Sequence, residues 1–157
     1  MQTRLRSRRQ EIIATRHTSL RRRKCTGLRS TYDQLYVLWS ELYHTIGAYK
    51  DGQYELGSGT KPTILGEGRY VAITDNADPL KVVMFRTDEQ LDPNEQRIVC
   101  ETEVFENQSG GASSNSLIGS RLSLIATNNY YYLFDWKTGK MKEPSAPGVE
   151  RIDIETT

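Results

Sequence analysis

One pair of carboxylates has a spacing that suits acid–base chemistry. Glu101 and Glu103 lie two positions apart in a segment, residues 96–105, whose second half alternates like a β-strand. Both side chains are therefore expected on one face of the strand, where one carboxyl group could donate a proton and the other accept one. Solvated charges that discourage sheet-to-sheet aggregation are a commoner explanation of such a pair. We predict no catalytic residue, and a small β-barrel enzyme is only a third alternative.

The sequence shows no residue spacing that suits a metal site, a reactive thiol pair or a phosphate-binding loop. The two histidines, His17 and His44, share no ligand pattern with the two cysteines, Cys25 and Cys100. Two isolated thiols are typical of reduced cysteines in an intracellular protein rather than of a disulfide framework. The pair Gly139-Lys140 is followed by Met141 and is not preceded by the glycine of a phosphate-binding loop. The sequence therefore predicts neither a metal nor a cofactor.

Basic residues are concentrated at the N-terminal end. Residues 1–30 contain ten Arg or Lys and one acid, whereas residues 31–157 contain eleven bases and nineteen acids. Residues 1–29 are accordingly interpreted as a basic arm, flexible or helical, with three open roles: a solvated tail, an arm that binds nucleic acid or an acidic partner, or a mitochondrial presequence. The candidate binding residues are Arg8, Arg9, Arg21, Arg22, Arg23 and Lys24.

Residues 30–47 are predicted to form an amphipathic linking helix. Ser30 and Asp33 have the spacing of a helix N-cap, and Gly47 is a suitable C-terminal stop. Four apolar residues share one face at helical spacing, namely Leu35, Leu38, Trp39 and Leu42. This stripe is expected to dock against the rest of the protein.

Residues 50–157 are predicted to form an antiparallel β region. Short apolar segments recur about every ten residues between turn signals, a pattern typical of all-β folds. Strands are expected at residues 53–56, 69–74, 80–86, 96–105, 117–127, 130–136 and 149–154, the last as an edge strand. Asn128-Asn129 is expected to close a hairpin between the fifth and sixth of these strands, and Gly139 the next turn. Residues 107–116 form a polar loop.

Length and hydropathy limit the class of protein. A chain of 157 residues is long enough for one domain with its own core. No apolar run approaches the ~20 residues that a membrane-spanning helix needs, and no signal-peptide core is present. We expect an intracellular protein of the cytoplasm or nucleus, with a mitochondrial address left open.

The C-terminal third resembles a known architecture. Residues 118–125, the tyrosine-rich residues 130–134 and the turn Asp135-Trp136-Lys137-Thr138-Gly139-Lys140 resemble a blade of WD-like β-propellers. More narrowly, residues 31–142 are similar to the region that follows the F-box in fungal F-box proteins. In that resemblance Trp39 belongs to the linking helix, and residues 52–56 form the first strand after it. Residues 1–30 are too basic and too poor in apolar positions to be expected to form the F-box itself.

The resemblance implies a fold and a role. About two blades of 40–45 residues would form an incomplete propeller with open edges. Asp135 would hydrogen-bond within its turn, Trp136 would pack between blades, and Gly139 would supply a positive φ. The implied function is a non-enzymatic protein–protein interaction module, a fragment of an F-box-like substrate receptor with a protein partner. Binding of nucleic acid or an acidic partner by residues 1–29 is the alternative.

Overall fold

The chain folds into stacked antiparallel β-sheets. The computed structural model describes residues 10–15, 22–106, 110–132, 134–135, 137–141, 146 and 148–155. Within these ranges the chain contains no α-helix, and Gly66–Gly68 forms a 3-10 turn. The strands there are β1 Gln10–Thr15, β2 Arg22–Ser30, β3 Leu35–His44, β4 Thr63–Leu65, β5 Tyr70–Thr74, β6 Lys81–Arg86, β7 Ile98–Glu103, β8 Ile118–Ser120, β9 Ser123–Thr127, β10 Phe134–Asp135, β11 Lys140–Met141 and β12 Val149–Asp153.

The middle layer is a four-stranded sheet in the order β4-β5-β6-β7. Its central strands contain the continuous apolar runs 71–73 and 82–85, and every residue of these runs is buried. A strand that is apolar at consecutive positions must bury both faces, because successive side chains point to opposite sides of the sheet. The sequence therefore requires a layer on each side of this sheet.

The first outer layer is the sheet β1-β2-β3. Trp39 and Tyr43 of β3 form one core cluster with Val71, Ile73, Val83 and Phe85 of the middle sheet. The Trp39 indole stacks on the Phe85 ring with centroids 6.1 Å apart. This packing joins the N-terminal third of the chain to the central sheet.

The second outer layer is the sheet β12-β9-β8. Leu124 and Ala126 of β9, together with Leu117, pack in a second cluster with Leu65, Ala72, Val82 and Met84. Two cores thus lie on opposite faces of one sheet, which gives the three-layer arrangement. The short hairpin β10–β11 is a separate two-stranded sheet.

The predicted helix at 30–47 is wrong. Residues 35–44 form the ten-residue strand β3, which pairs antiparallel with β2. The segment Ser30–Asp33 leads into a hairpin turn, which is closed by the Thr31 N–H donating to the Gln34 carbonyl (2.8 Å). The four apolar residues fit a helical stripe, but the segment is also rich in aromatic and apolar residues at consecutive positions, and packing against the middle sheet selects the strand. Gly27 of β2 favours this choice, since a Cβ there would overlap the Trp39 indole.

The interpretation of residues 1–29 as a flexible or helical arm is also wrong where the structure describes them. Residues 10–15 and 22–30 are strands β1 and β2, and β2 is the middle strand of its sheet. Strands on both sides provide hydrogen-bond partners for the backbone N–H and C=O groups of β2, so a basic composition does not prevent folding. Residues 1–9 and 16–21 lie outside the described residues.

The propeller-like arrangement is the third correction. Residues 117–127 do not pair across Asn128-Asn129 with the described residues of 130–136. Instead β8 and β9 form their own hairpin, with Arg121 at φ 54°, and β9 pairs with β12. The described sheets stack face to face and do not close around an axis. Residues 53–56 are not a strand. The strands expected at 69–74, 80–86 and 96–105 are confirmed, as is the edge strand near 149–154.

Candidate interaction surface

The turn between β2 and β3 carries an exposed apolar group of side chains. We call residues 31–37 the hairpin tip. Tyr32 is as exposed as in an extended peptide (106%), and the side chains of Leu35 (58%), Tyr36 (47%) and Val37 (67%) are also accessible. Single exposed apolar residues are normal on a protein surface, whereas four large ones around one short turn are a concentration of the kind found at interaction sites.

A β-bulge determines where these side chains point. Gly27 pairs with Trp39 and the next residue, Leu28, pairs with Val37, so β3 contains one extra residue at this place. One extra residue moves the following side chains to the other face of the sheet. Trp39 consequently faces the middle sheet, whereas Val37 and Leu35 lie on the outward face.

The strand β3 also presents an open edge. In the described part of the chain it has β2 on one side and no strand on the other. Its ten residues include no Lys or Pro and a single acid, Glu41. Exposed edges are usually protected by such residues because unpaired backbone groups attract further strands. The edge is therefore able to support a partner next to the hairpin tip.

Of the six basic candidates, the three that the structure describes do not share one face of β2. Arg8, Arg9 and Arg21 lie outside the described residues. On β2, Arg22 is exposed and Lys24 is half-buried, whereas Arg23 is buried with 6% exposure. Alternation along the strand places Arg23 on the face that also carries Tyr43 in the neighbouring strand. The three adjacent cations are thus divided between two faces, which removes the dense basic stripe that the sequence suggests.

The candidate structural turn is only partly described. Gly139 has φ 68° and lies in the turn between β10 and β11, so the positive φ predicted for it is confirmed. Asp135 pairs with Lys140 in that hairpin through the backbone. Trp136, whose packing between blades the resemblance implies, lies outside the described residues.

The Glu101 and Glu103 carboxylates do share one face of β7. They approach the Lys81 Nζ to 3.9 Å and 4.0 Å, and all three side chains are partly exposed to solvent. An ammonium group between two solvated carboxylates forms a surface ion-pair network. This arrangement agrees with the interpretation of the pair as solvated charges.

The thiol and imidazole groups are dispersed. Burial raises the pKa of the Cys25 thiol to about 12, so that this group is inert, while Cys100 is exposed on β7. His44 ends β3 and His17 lies outside the described residues. Among the residues that the structure describes, no three His, Cys, Asp or Glu side chains are grouped so that they could hold a metal ion.

Comparison with known proteins identifies no family for this chain. No family model, curated protein or solved structure matches this chain. The resemblance to F-box proteins therefore stays a prediction. No helix in the described ranges is long and apolar enough to cross a membrane.

Sequence reasoning missed the hairpin tip because it assigned the same residues to a helical docking face. The available signal was the polar pair Asp33-Gln34, which interrupts the apolar residues between Tyr32 and Leu35. Asp favours turns, since its side chain hydrogen-bonds to nearby backbone groups. Read as a turn, these residues would have placed two strands around an exposed tyrosine.

Proposed function

We propose that this protein is a non-enzymatic protein–protein interaction module that inserts its hairpin tip into an apolar groove of a partner protein. The observation that carries the proposal is the exposure of Tyr32, Leu35, Tyr36 and Val37 within seven residues, above a body whose apolar strands are buried on both faces. The resemblance to F-box-like substrate receptors agrees with a protein-binding role and remains a prediction.

The energetics support a compact contact of this kind. Burying one large apolar side chain contributes about 1.5–3 kcal/mol. Tyrosine is enriched at the few interface positions that dominate affinity. The tip is already held in place by the turn hydrogen bond at Thr31 and by the ion pair between Arg29 and Glu89 (2.7 Å), so little conformational entropy is lost when it binds.

The shape of the tip favours a partner protein over a second copy. Tyr32 stands on a convex turn and needs a concave apolar site. A second copy would have to offer each Tyr32 ring such a site. The cleft between the loops around Lys50 and Tyr130 is lined by two carboxylates, Asp51 and Asp78, and does not suit an apolar side chain.

The Arg-rich segment offers a weaker alternative. Arg23 is buried, and a side chain that is buried in the body cannot neutralise a phosphate without leaving its site. No observation of the described residues favours nucleic-acid binding over the hairpin tip.

Photo-crosslinking tests the proposal directly. A photoreactive phenylalanine analogue at position 32 should capture a partner protein, and the same analogue at Tyr54, which is 66% exposed outside the hairpin, should not. With the captured partner purified, Tyr32→Ala and Val37→Thr should each weaken binding about tenfold or more. Tyr54→Ala should leave affinity unchanged.

The outcomes are distinguishable. Because the altered side chains are exposed, all three variants should unfold at the wild-type temperature, so that a loss of affinity reports on the contact. Unchanged affinity in both hairpin variants would refute the proposal. Crosslinking to a second copy, together with a dimer in light scattering, would replace the partner groove by self-association. A salt-sensitive nucleic-acid complex that survives both hairpin variants would favour the basic alternative.

A further inference from the structure

Loops at one end of the stacked sheets enclose a polar cleft. Its volume is about 290 Å³, at the lower end of the range for small-molecule sites. Its lining includes Tyr49, Lys50, Asp51, Asp78, Gly110 and Tyr130. Binding groups often lie on loops that a rigid scaffold positions, and here the scaffold is the three-layer stack.

Hydrogen bonds hold these loops together. The Tyr131 N–H donates to the Asp51 carbonyl (3.2 Å), and the Asn128 Nδ2 group donates to the Gly110 carbonyl (3.0 Å). Gly52 has φ 84°, and a Cβ at this position would overlap the backbone of the loop that carries Tyr131. The cleft walls are thus fixed by the fold rather than by the exposed side chains within it.

The ammonium group of Lys50 is already occupied. Its Nζ donates to the carbonyl of Ala77 and to that of Gly111 (2.8 Å). Burial lowers the pKa of Lys50, and the nearby carboxylates of Asp78 and Asp75 oppose this effect. Since Lys50 bridges two loops through carbonyl oxygens, its role in the cleft is structural. Its charge offsets part of that of Asp78, so Lys50, Asp51 and Asp78 together leave one net negative charge in the lining for a cationic ligand.

The negative charge of these carboxylates affects a neighbouring tyrosine. The pKa of Tyr130 is raised first by the hydrogen bond with the Tyr131 side chain and also by the negative charges of Asp51 and Asp78. The Tyr130 and Tyr131 ring centroids are 4.3 Å apart with the planes tilted by 54°. The Tyr130 ring packs against Gly110, where a Cβ would displace it. Carboxylates and aromatic faces therefore share one small space.

We propose that this cleft binds an aliphatic ammonium group, with Asp51 and Asp78 as its charge partners and the rings of Tyr49 and Tyr130 around its apolar stem. Charge-assisted hydrogen bonds to carboxylates and cation–π contacts to aromatic faces are the interactions that recognise organic cations. A bare metal ion suits the cleft less, since the described residues group no three metal-ligating side chains there.

The cleft and the hairpin tip are independent sites. The tip ends at Val37, within β3, and the cleft lining starts at Ile46, beyond the last residue of that strand, His44. Strand residues 38–44 therefore separate the two sites, a span of about 23 Å. The ammonium group has two sources, a free amine or the side chain of a lysine in a peptide. Loss of one site would not change binding at the other.

Calorimetric titration with matched probes tests the inference. The probes are 1,5-diaminopentane, N-acetyl-lysine methylamide and the neutral analogue N-acetyl-norleucine methylamide. We expect at least one cation to bind saturably and the neutral analogue not to bind. Preference for the diamine would identify a free amine as the ligand, and preference for the lysine derivative a peptide side chain.

Isosteric variants locate the site. Asp51→Asn and Asp78→Asn remove a charge with little change of shape, and each should weaken cation binding about tenfold or more. Glu67→Gln is the matched control, because Glu67 is exposed at the opposite end of β5 from Asp75. In the wild type, amide chemical-shift changes should be confined to the cleft loops. Absence of saturable binding up to about 10 mM of both cations, equal binding of norleucine, or full affinity in both Asn variants would overturn the proposal.

Discussion

We predict that Trp39 contributes strongly to the packing of the first outer sheet on the middle sheet. It is 7% exposed and stacks on Phe85, and its Nε1 donates to the Thr87 carbonyl at 3.2 Å. The Arg97 guanidinium lies 4.8 Å from the ring centroid on the solvent side. The indole thus combines apolar burial, a hydrogen bond and a cation–π contact at one interface between layers.

The expected magnitude follows from these contacts. Trp39→Ala should lower the free energy of unfolding by about 3–5 kcal/mol, the usual cost of truncating a buried large aromatic side chain. Trp39→Phe keeps the stacked ring but loses the hydrogen bond to Thr87, so about 1–2 kcal/mol is expected. Gly27→Ala should reach the same interface from the opposite strand, because its new methyl group would push against the indole, and should cost about 1–3 kcal/mol.

Urea unfolding followed by far-ultraviolet circular dichroism measures these differences. Leu42→Ala is the control, since Leu42 is on the same strand but 38% exposed, and a change below about 1 kcal/mol is expected there. A loss below about 1 kcal/mol for Trp39→Ala, or equal losses for Trp39→Ala and Leu42→Ala, would refute the packing of β3 on the middle sheet. A large loss that appears in Trp39→Ala but not in Gly27→Ala would show that the indole does not lie over Gly27.

Two further predictions concern buried ionisable groups. Burial raises the pKa of Asp75 from 3.8 to about 6, although hydrogen bonds from the Lys81 and Ala77 backbone amides act in the opposite direction. The folded state therefore holds the proton more tightly than the unfolded state. The stability that this group contributes is complete below about pH 4 and is lost as the pH rises through 6, a change of about 3 kcal/mol in the free energy of unfolding. Urea titrations at pH 4 and pH 7 should show this loss in the wild type and not in Asp75→Asn, and parallel profiles would contradict it. In thiol titration the native protein should react through Cys100 alone, whereas the unfolded protein should react through Cys25 as well. Reaction of native Cys100→Ser would show that Cys25 is accessible.

The β-strands of the middle sheet were predictable because their signal is local. Residues 71–73 and 82–85 are continuous apolar runs bounded by the turn at residues 75–79. Such a run has few solutions other than a strand buried on both faces when Pro and Gly interrupt the chain nearby. The turn at Gly139 and the alternating edge strand near residues 149–154 were predictable for the same reason.

The N-terminal third was mispredicted because its signal is ambiguous. The apolar spacing between Leu35 and Leu42 fits a helix, and the arginine-rich composition of residues 1–30 suggests an unfolded arm. Neither inference takes into account the apolar face of β5 and β6, which must be buried by another part of the chain. Trp39 and Tyr43 are four positions apart and would share a face in a helix as they do in a strand; the pairing of β3 with β2 is what holds that face over β5 and β6.

The candidate cleft could not be predicted from the sequence, for a different reason. Tyr49, Asp78 and Tyr130 are far apart in sequence and meet only because three loops converge at one end of the stack. The hairpin tip had a local signal in Asp33-Gln34, but the outward orientation of Leu35 and Val37 depends on one extra residue in β3 opposite Gly27 and Leu28. No local pattern indicates that bulge.

The sequence by itself therefore determined that the central chain segments are strands and that the chain turns at Gly139, since these properties depend on neighbouring residues. Only the tertiary structure decided which face of each outer sheet is buried, which apolar residues stay in solvent and which loops enclose a cleft. The physical reason is that an apolar side chain is stabilised by any dry surface, and the identity of that surface is settled by contacts between residues that are distant in the chain.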